Sequence, residues 1–113
     1  WIKAKSYDSF GPLGPWLVTK DEVPDPQALS LALDLNGTRM QTGNTSTMIF
    51  NVAHLVSYIS GFMTLMPGDV VTTGTPPGVG MARNPRVFLK EGDQLMLTVE
   101  GLGEQHHRLV AEA

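Results

Sequence analysis

The chain has 113 residues, 42% of them hydrophobic and 17% charged, a balance that can bury a core and excludes a disordered or fibrous protein. Eight basic against eleven acidic residues give a formal net charge of -3 with no Lys/Arg cluster, which excludes a phosphate-tracking nucleic-acid surface. Cysteine is absent, so disulfide scaffolds, thiolate zinc sites and cysteine nucleophiles are excluded, and a reducing, cytoplasmic setting is expected.

No apolar run approaches the roughly 18 residues a bilayer span needs, and no secretory signal pattern is present, so no membrane partner is expected. Twelve glycines and eight prolines point to many turns. The chain opens on Trp1 without an initiating methionine, which reads as part of a longer polypeptide.

In chain order, residues 5–18 hold two Gly-Pro units, Gly11-Pro12 and Gly14-Pro15, that prevent helix and make a bent, semi-rigid path. Phe10, Leu13, Trp16 and Leu17 are candidates for burial there, while Lys5, Asp8 and Ser9 place an amine, a carboxylate and a hydroxyl in one short span. Residues 19–26 are charged and broken by Pro24 and Pro26, which suits a surface connection. Leu31, Leu33 and Leu35 then alternate with Ala32 and Asp34, and Asn36-Gly37 separates them from a second run at 38–42. Asn-Gly between two such runs predicts a β-hairpin, because both central positions of a type I′ turn need positive φ.

After the polar run Asn44-Thr45-Ser46-Thr47 the period changes. Val52, Leu55, Val56, Ile59, Phe62 and Met63 fall on one helical face, with Asn51 as N-cap, and predict an amphipathic helix over about 51–65 that ends before Gly68. His54 stands in it as an isolated ring. Asn36-Gly37-Thr38 and Asn44-Thr45-Ser46 match the glycosylation pattern but read as turn and cap chemistry.

Residues 69–73, Asp-Val-Val-Thr-Thr, predict a buried strand that runs into the loop Gly74-Thr75-Pro76-Pro77-Gly78-Val79-Gly80. Its glycines let the backbone approach a bound group, and its prolines stiffen it and withdraw two N–H donors. A rigid loop at a strand end suits a binding site, and the same composition also suits a tight structural turn. Further strands are expected at 87–89, 94–100 and 106–110, with turns at 90–93 and 101–103. On an extended chain His106 and His107 point to opposite faces and cannot chelate one metal together. The loop lacks the ending of a Walker motif and the spacing of a dinucleotide fingerprint, and no nucleophile elbow or His-Glu-x-x-His is present.

Three ordered stretches carry a resemblance to the fumarylacetoacetate hydrolase family: 4–16 (AKSYDSFGPLGPW), 41–50 (QTGNTSTMIF) and 68–80 (GDVVTTGTPPGVG). The chain resembles the C-terminal half of the catalytic domain, in the branch of acylpyruvate hydrolases and 2-hydroxyhepta-2,4-diene-1,7-dioate isomerases. The resemblance implies a mostly β (α+β) fold, a mixed β-sandwich roll with one helix, usually a homodimer, that uses Mg²⁺ or Mn²⁺ to hold a 2-oxo acid or 1,3-diketone. It implies that Lys5 is the catalytic cation of the site, that Ser9 is a substrate-site hydroxyl near the metal, and that Thr75 with the Gly74 backbone binds a substrate carboxylate or oxo group. The family's carboxylate metal ligands and its lid His-Glu pair are expected upstream of Trp1, so no metal ligand is expected within this chain.

C–C hydrolysis, decarboxylation and enol–keto isomerisation are all open within the family. Outside enzymology, a small-carboxylate-binding module, or an assembly fragment that dimerises through Met48-Ile49-Phe50 and the helix, also fits these residues.

Overall fold

In the computed structural model, residues 2–111 are described; Trp1, Glu112 and Ala113 lie outside them. The architecture is β-rich with one principal helix. A four-residue helix α1 (Ile2–Lys5) is followed by strands β1 (Ser30–Leu35) and β2 (Thr38–Asn44), helix α2 (Val52–Ser60), and strands β3 (Gln94–Val99) and β4 (Gly103–Arg108). The four strands make one antiparallel sheet in the order β2-β1-β3-β4.

The hairpin forms where Asn36-Gly37 predicts it. Asn36 has φ 50° and Gly37 φ 78°, the two positive values a type I′ turn demands. The turn is also tied across the sheet. Asn36 Nδ2 donates to Asp93 Oδ1 at 2.9 Å, and Gln94 N donates to Asn36 Oδ1 at 2.9 Å. Asp93 Oδ2 takes a further bond from Lys90 N at 2.8 Å. Together the Asn36 side chain and the Lys90 N–H hold the Asp93 carboxyl below its usual range. A carboxylate with a depressed pKa stabilises the fold above the ordinary carboxylate range and loses that contribution as pH falls through the lowered value. Asp93→Asn is therefore expected to melt below wild type at pH 7 and to close that gap as pH falls below about 4; a gap that stayed constant from pH 7 to pH 3 in thermal melts would contradict it.

Alternation in β1 is overridden by its central place. Asp34, in phase with the polar positions, is the buried polar residue of the sheet, between Arg39 of β2 and Met96 of β3. Arg39 satisfies it with a guanidinium fork, Nε to Oδ1 and Nη2 to Oδ2, the latter at 3.3 Å. That bond and the carboxylate charge raise the Arg39 pKa. Leu31, Leu33, Leu35, Leu95, Leu97 and Val99 are half-buried, and among the described residues no apolar side chain is fully buried.

Helix α2 starts as expected, with Asn51 Oδ1 accepting from His54 N at 2.7 Å. It ends at Ser60 rather than near 65, because the chain turns at Gly61, which follows the last helical residue; Phe62 and Met63 keep the helical spacing but not the helix. His54 is not isolated. It stacks 4.8 Å from Phe50 and 6.4 Å from Tyr58, which meets Phe62 edge-on at 5.5 Å.

Two expected strands carry no regular secondary structure and no ladder bonds. Residues 69–73 are exposed, Val70 to 61%, and 87–89 are joined to the rest by Val87 N donating to Gly80 O at 3.0 Å. β-Branched residues favour extension, but a strand also needs a neighbour to pair with, and neither segment has one among the described residues. The last strand begins at Gly103 and ends at Arg108, slightly earlier than the spacing suggests.

Candidate functional site: a glycine-proline loop docked on an edge strand

The loop at 74–80 is held against β2, and the sequence of β2 explains how. Along 40–43 the strand presents Met40, Gln41, Thr42 and Gly43. The register slips between Leu33 and Asp34, where Leu33 faces Gln41 and Asp34 faces Arg39, so Met40 is the extra, bulged residue. A bulge re-aims groups near a sheet edge. Here the Met40 carbonyl accepts from Arg83 Nη2, and Arg83 Nε donates to Gly78 O at 3.1 Å. Arg83 thus clips the loop to the bulge.

Two glycines set the distance of approach. A Cβ on Gly78 (φ 108°) would lie 2.2 Å from Met40 O, and one on Gly43 would lie 2.7 Å from Pro76 Cβ. Gln41 supplies the polar contact: its Nε2 donates to Pro76 O at 2.7 Å and to Thr75 Oγ1 at 2.9 Å. The strand and the loop therefore meet through two bare backbones, one guanidinium and one carboxamide.

This docking opens a cleft of about 620 Å³ between the loop and the segment after β2. Gly74, Thr75, Pro76 and Pro77 form one wall, and Thr45, Met48, Phe50 and Leu55 form much of the other. The second wall is fixed locally. Asn44 Oδ1 accepts from Ser46 N at 2.9 Å and caps the short turn Thr45–Thr47, while Gln27 bridges to Thr45 O at 2.9 Å and accepts from Val52 N at 2.7 Å. A largely apolar hollow with a hydroxyl on its rim is suited to a small ligand that ends in an oxygen acceptor.

The four residues singled out by resemblance divide into two groups. Gly74, with φ 93°, and Thr75 both face the cleft. Lys5 and Ser9 do not line it: Lys5 closes α1 and Ser9, with φ 64°, sits in the exposed turn beyond. The segment that carries them is fastened further on, where Gln105 Nε2 donates to Gly14 O and Trp16 and Pro15 cover Gly103. Gln41, Gly43 and Arg83 carry no mark by type or spacing, whereas Gly78 belongs to the loop whose glycines suit a close backbone approach. Gly43 lies beyond the predicted run at 38–42, and only in the full β2 (Thr38–Asn44) does it share a side with Gln41.

Among the described residues no three His, Asp or Glu side chains gather where one ion could be held. No helix of the described residues is long and apolar enough to cross a membrane.

Comparison with known proteins agrees with the fold. A relative from Burkholderia lata, provisionally named a hydrolase, is 64% identical over 106 residues, 93% of this chain but 38% of its own length. The solved fumarylacetoacetate hydrolase of Exiguobacterium antarcticum superposes with a TM-score of 0.94 at 38% identity, over 97% of this chain and 39% of that one. Maleylpyruvate hydrolase from Sphingobium sp. SYK-6, solved with manganese(II) and pyruvate, gives 0.88 at 34% identity over 97% and 39%. The 2-hydroxyhepta-2,4-diene-1,7-dioate isomerase of Mycobacterium marinum gives 0.83 at 42% identity over 96% and 39%. The chain thus spans about two fifths of each protein it matches. A family profile described as fumarylacetoacetate (FAA) hydrolase C-terminal matches residues 1–110, and the chain belongs to the fumarylacetoacetate hydrolase family.

Proposed function

We propose that this chain is the C-terminal part of a catalytic domain that cleaves a C–C bond in a 2-oxo acid or 1,3-diketone by hydrolysis. The observation that carries the reading is the docked loop, which holds Gly74 and Thr75 on the rim of an apolar cleft. Likeness to a hydrolase solved with pyruvate supports the substrate class.

In such a reaction the oxygen of water bonds to the acyl carbonyl carbon. The bond from that carbon to its neighbour breaks, and its electron pair remains as the enolate of the departing 2-oxo acid, which is then protonated. Thr75 donates its hydroxyl hydrogen to a carboxylate or oxo oxygen of the substrate and the Gly74 N–H adds a second donor, while Ser9, which lies outside this cleft, is assigned a substrate-site hydroxyl by the family resemblance alone. Lys5 likewise lies outside the cleft, and the family resemblance assigns its ammonium to the developing enolate charge in the full-length protein. A rigid loop loses little conformational freedom on binding, so its donors are inexpensive to align. In the full-length protein a bound Mg²⁺ or Mn²⁺ would supply further charge neutralisation, and carboxylates outside this chain would hold it. The half-open sheet faces are covered by the rest of the domain and by a second copy in a homodimer.

Enol–keto isomerisation is the second reading, favoured by the higher identity to the isomerase, 42% against 38% and 34% for the two hydrolases. Both are tested on the full-length gene product by calorimetry with Mn²⁺ and then oxalate, followed by product analysis with an acylpyruvate. Metal-dependent oxalate binding and release of pyruvate are expected. An enol converted to its ketone without cleavage selects the isomerase, whereas oxalate binding without metal and without turnover would replace both with a binding module.

A further inference from the structure

We infer that Gln41 is a positioning residue that orients the Thr75 hydroxyl, so that its hydrogen is presented to an acceptor oxygen of the ligand; this rests on the substrate-binding reading of Thr75. Pro76 O can only accept a hydrogen bond, so the Gln41 carboxamide atom 2.7 Å from it must be the NH₂ group. That same NH₂ lies 2.9 Å from Thr75 Oγ1, which is thereby the acceptor in the pair. The Thr75 hydrogen must then leave in another direction. Within the chain that hydrogen reaches Pro76 O, a long bond of 3.4 Å to an oxygen that also accepts from Gln41 at 2.7 Å. A ligand oxygen in the cleft that Thr75 lines can replace that long bond at an ordinary hydrogen-bond distance.

The consequence is selectivity by proton count. With one lone pair of Oγ1 occupied and its hydrogen directed outward, Thr75 favours a deprotonated or carbonyl oxygen over a hydroxyl or ammonium group. The geometry also couples recognition to the fold, because Gln41 sits next to the bulged Met40, whose carbonyl receives Arg83. One strand fixes both the height of the loop and the direction of its hydroxyl.

The test uses the full-length gene product and the variants Gln41→Met, Thr75→Val and the double variant. Without ligand, Gln41→Met is expected to speed amide hydrogen exchange at residues 74–80 about tenfold while the thermal midpoint moves little; unchanged exchange in this loop would overturn the inference. With Mn²⁺ present, Gln41→Met is expected to weaken oxalate binding about fivefold to tenfold, and to have no further effect in the Thr75→Val background. An equal loss in both backgrounds would make Gln41 a general brace and overturn the inference as well. If wild type bound no oxalate while the exchange response persisted, the substrate-binding reading would fail and the donor-direction inference with it, Gln41 keeping only a structural role.

Discussion

Gly78→Ala in the full-length protein is expected to lift the 74–80 loop off β2, lowering stability by about 2–4 kcal/mol and kcat/KM by more than tenfold. Two costs combine. Gly78 has φ 108°, a region that L side chains rarely adopt, and the added Cβ would stand 2.2 Å from Met40 O, 3.1 Å from Gln41 Cγ and 3.3 Å from Met40 C. A flexible side chain could swing aside, but Met40 O belongs to the backbone of a paired strand and is held by Arg83. The loop must therefore be the part that moves. Its displacement breaks the Arg83 bond to Gly78 O and stretches both Gln41 bonds, so Thr75 loses its orientation. Gly68 provides the control, with φ 97° and nothing within 4 Å of the point where a methyl group would stand. Gly68→Ala is expected to cost only the backbone strain, about 1–2 kcal/mol, and to leave KM unchanged. Equal losses in thermal midpoint and equal kinetics for the two variants would show that the close approach to Met40 contributes nothing.

What could be read from the residues follows the range of the interactions involved. Asn36-Gly37 and Asn51 act on backbone groups a few residues away, so the hairpin and the start of α2 are local facts that short patterns reveal. The alternating Leu95, Leu97 and Val99 likewise mark a strand, Gln94–Val99, without reference to its partners. Residues 69–73 and 87–89 have the composition of strands but no ladder partner among the described residues, and pairing is a non-local property that composition does not carry. Asp34 looks like a solvent-facing residue in its alternating run, yet its central strand buries it, and only the register opposite Arg39 shows how the charge is met. The site divides in the same way. The stiffness of the Gly-Pro loop is visible in its residues, whereas its docking depends on Gly43, Gln41 and a bulge at Met40, all far earlier in the chain. Resemblance to a family marked Gly74 and Thr75, which face the cleft, and also Lys5 and Ser9, which do not line it.

Lys5 is the residue whose loss is expected to weigh most on turnover. Lys5→Met keeps the length and apolar stem of the side chain and removes the ammonium, and in the full-length enzyme it is expected to lower kcat about 10²–10³-fold with KM changed less than threefold, as for a group that stabilises charge developing in the transition state. The fold should tolerate the change. Lys5 is exposed at the end of the four-residue helix α1, and the bond that closes this turn is made by its neighbour, Ser6 Oγ donating to Ile2 O at 2.7 Å. The path beyond is secured at Gly14 and Trp16 rather than at Lys5. A thermal midpoint within about 2 °C of wild type is therefore expected, corresponding to a surface change of about 0.5 kcal/mol or less. Lys5→Arg separates charge from shape. The guanidinium keeps the positive charge but is larger, planar and differently hydrated, so partial recovery is expected if charge dominates and none if the compact ammonium must reach a single oxygen. Steady-state kinetics on the three proteins at saturating Mn²⁺ decide the matter: a Lys5→Met enzyme that kept wild-type kcat would remove Lys5 from the reaction and leave the Thr75 cleft and Ser9 as the contribution of this chain to substrate binding.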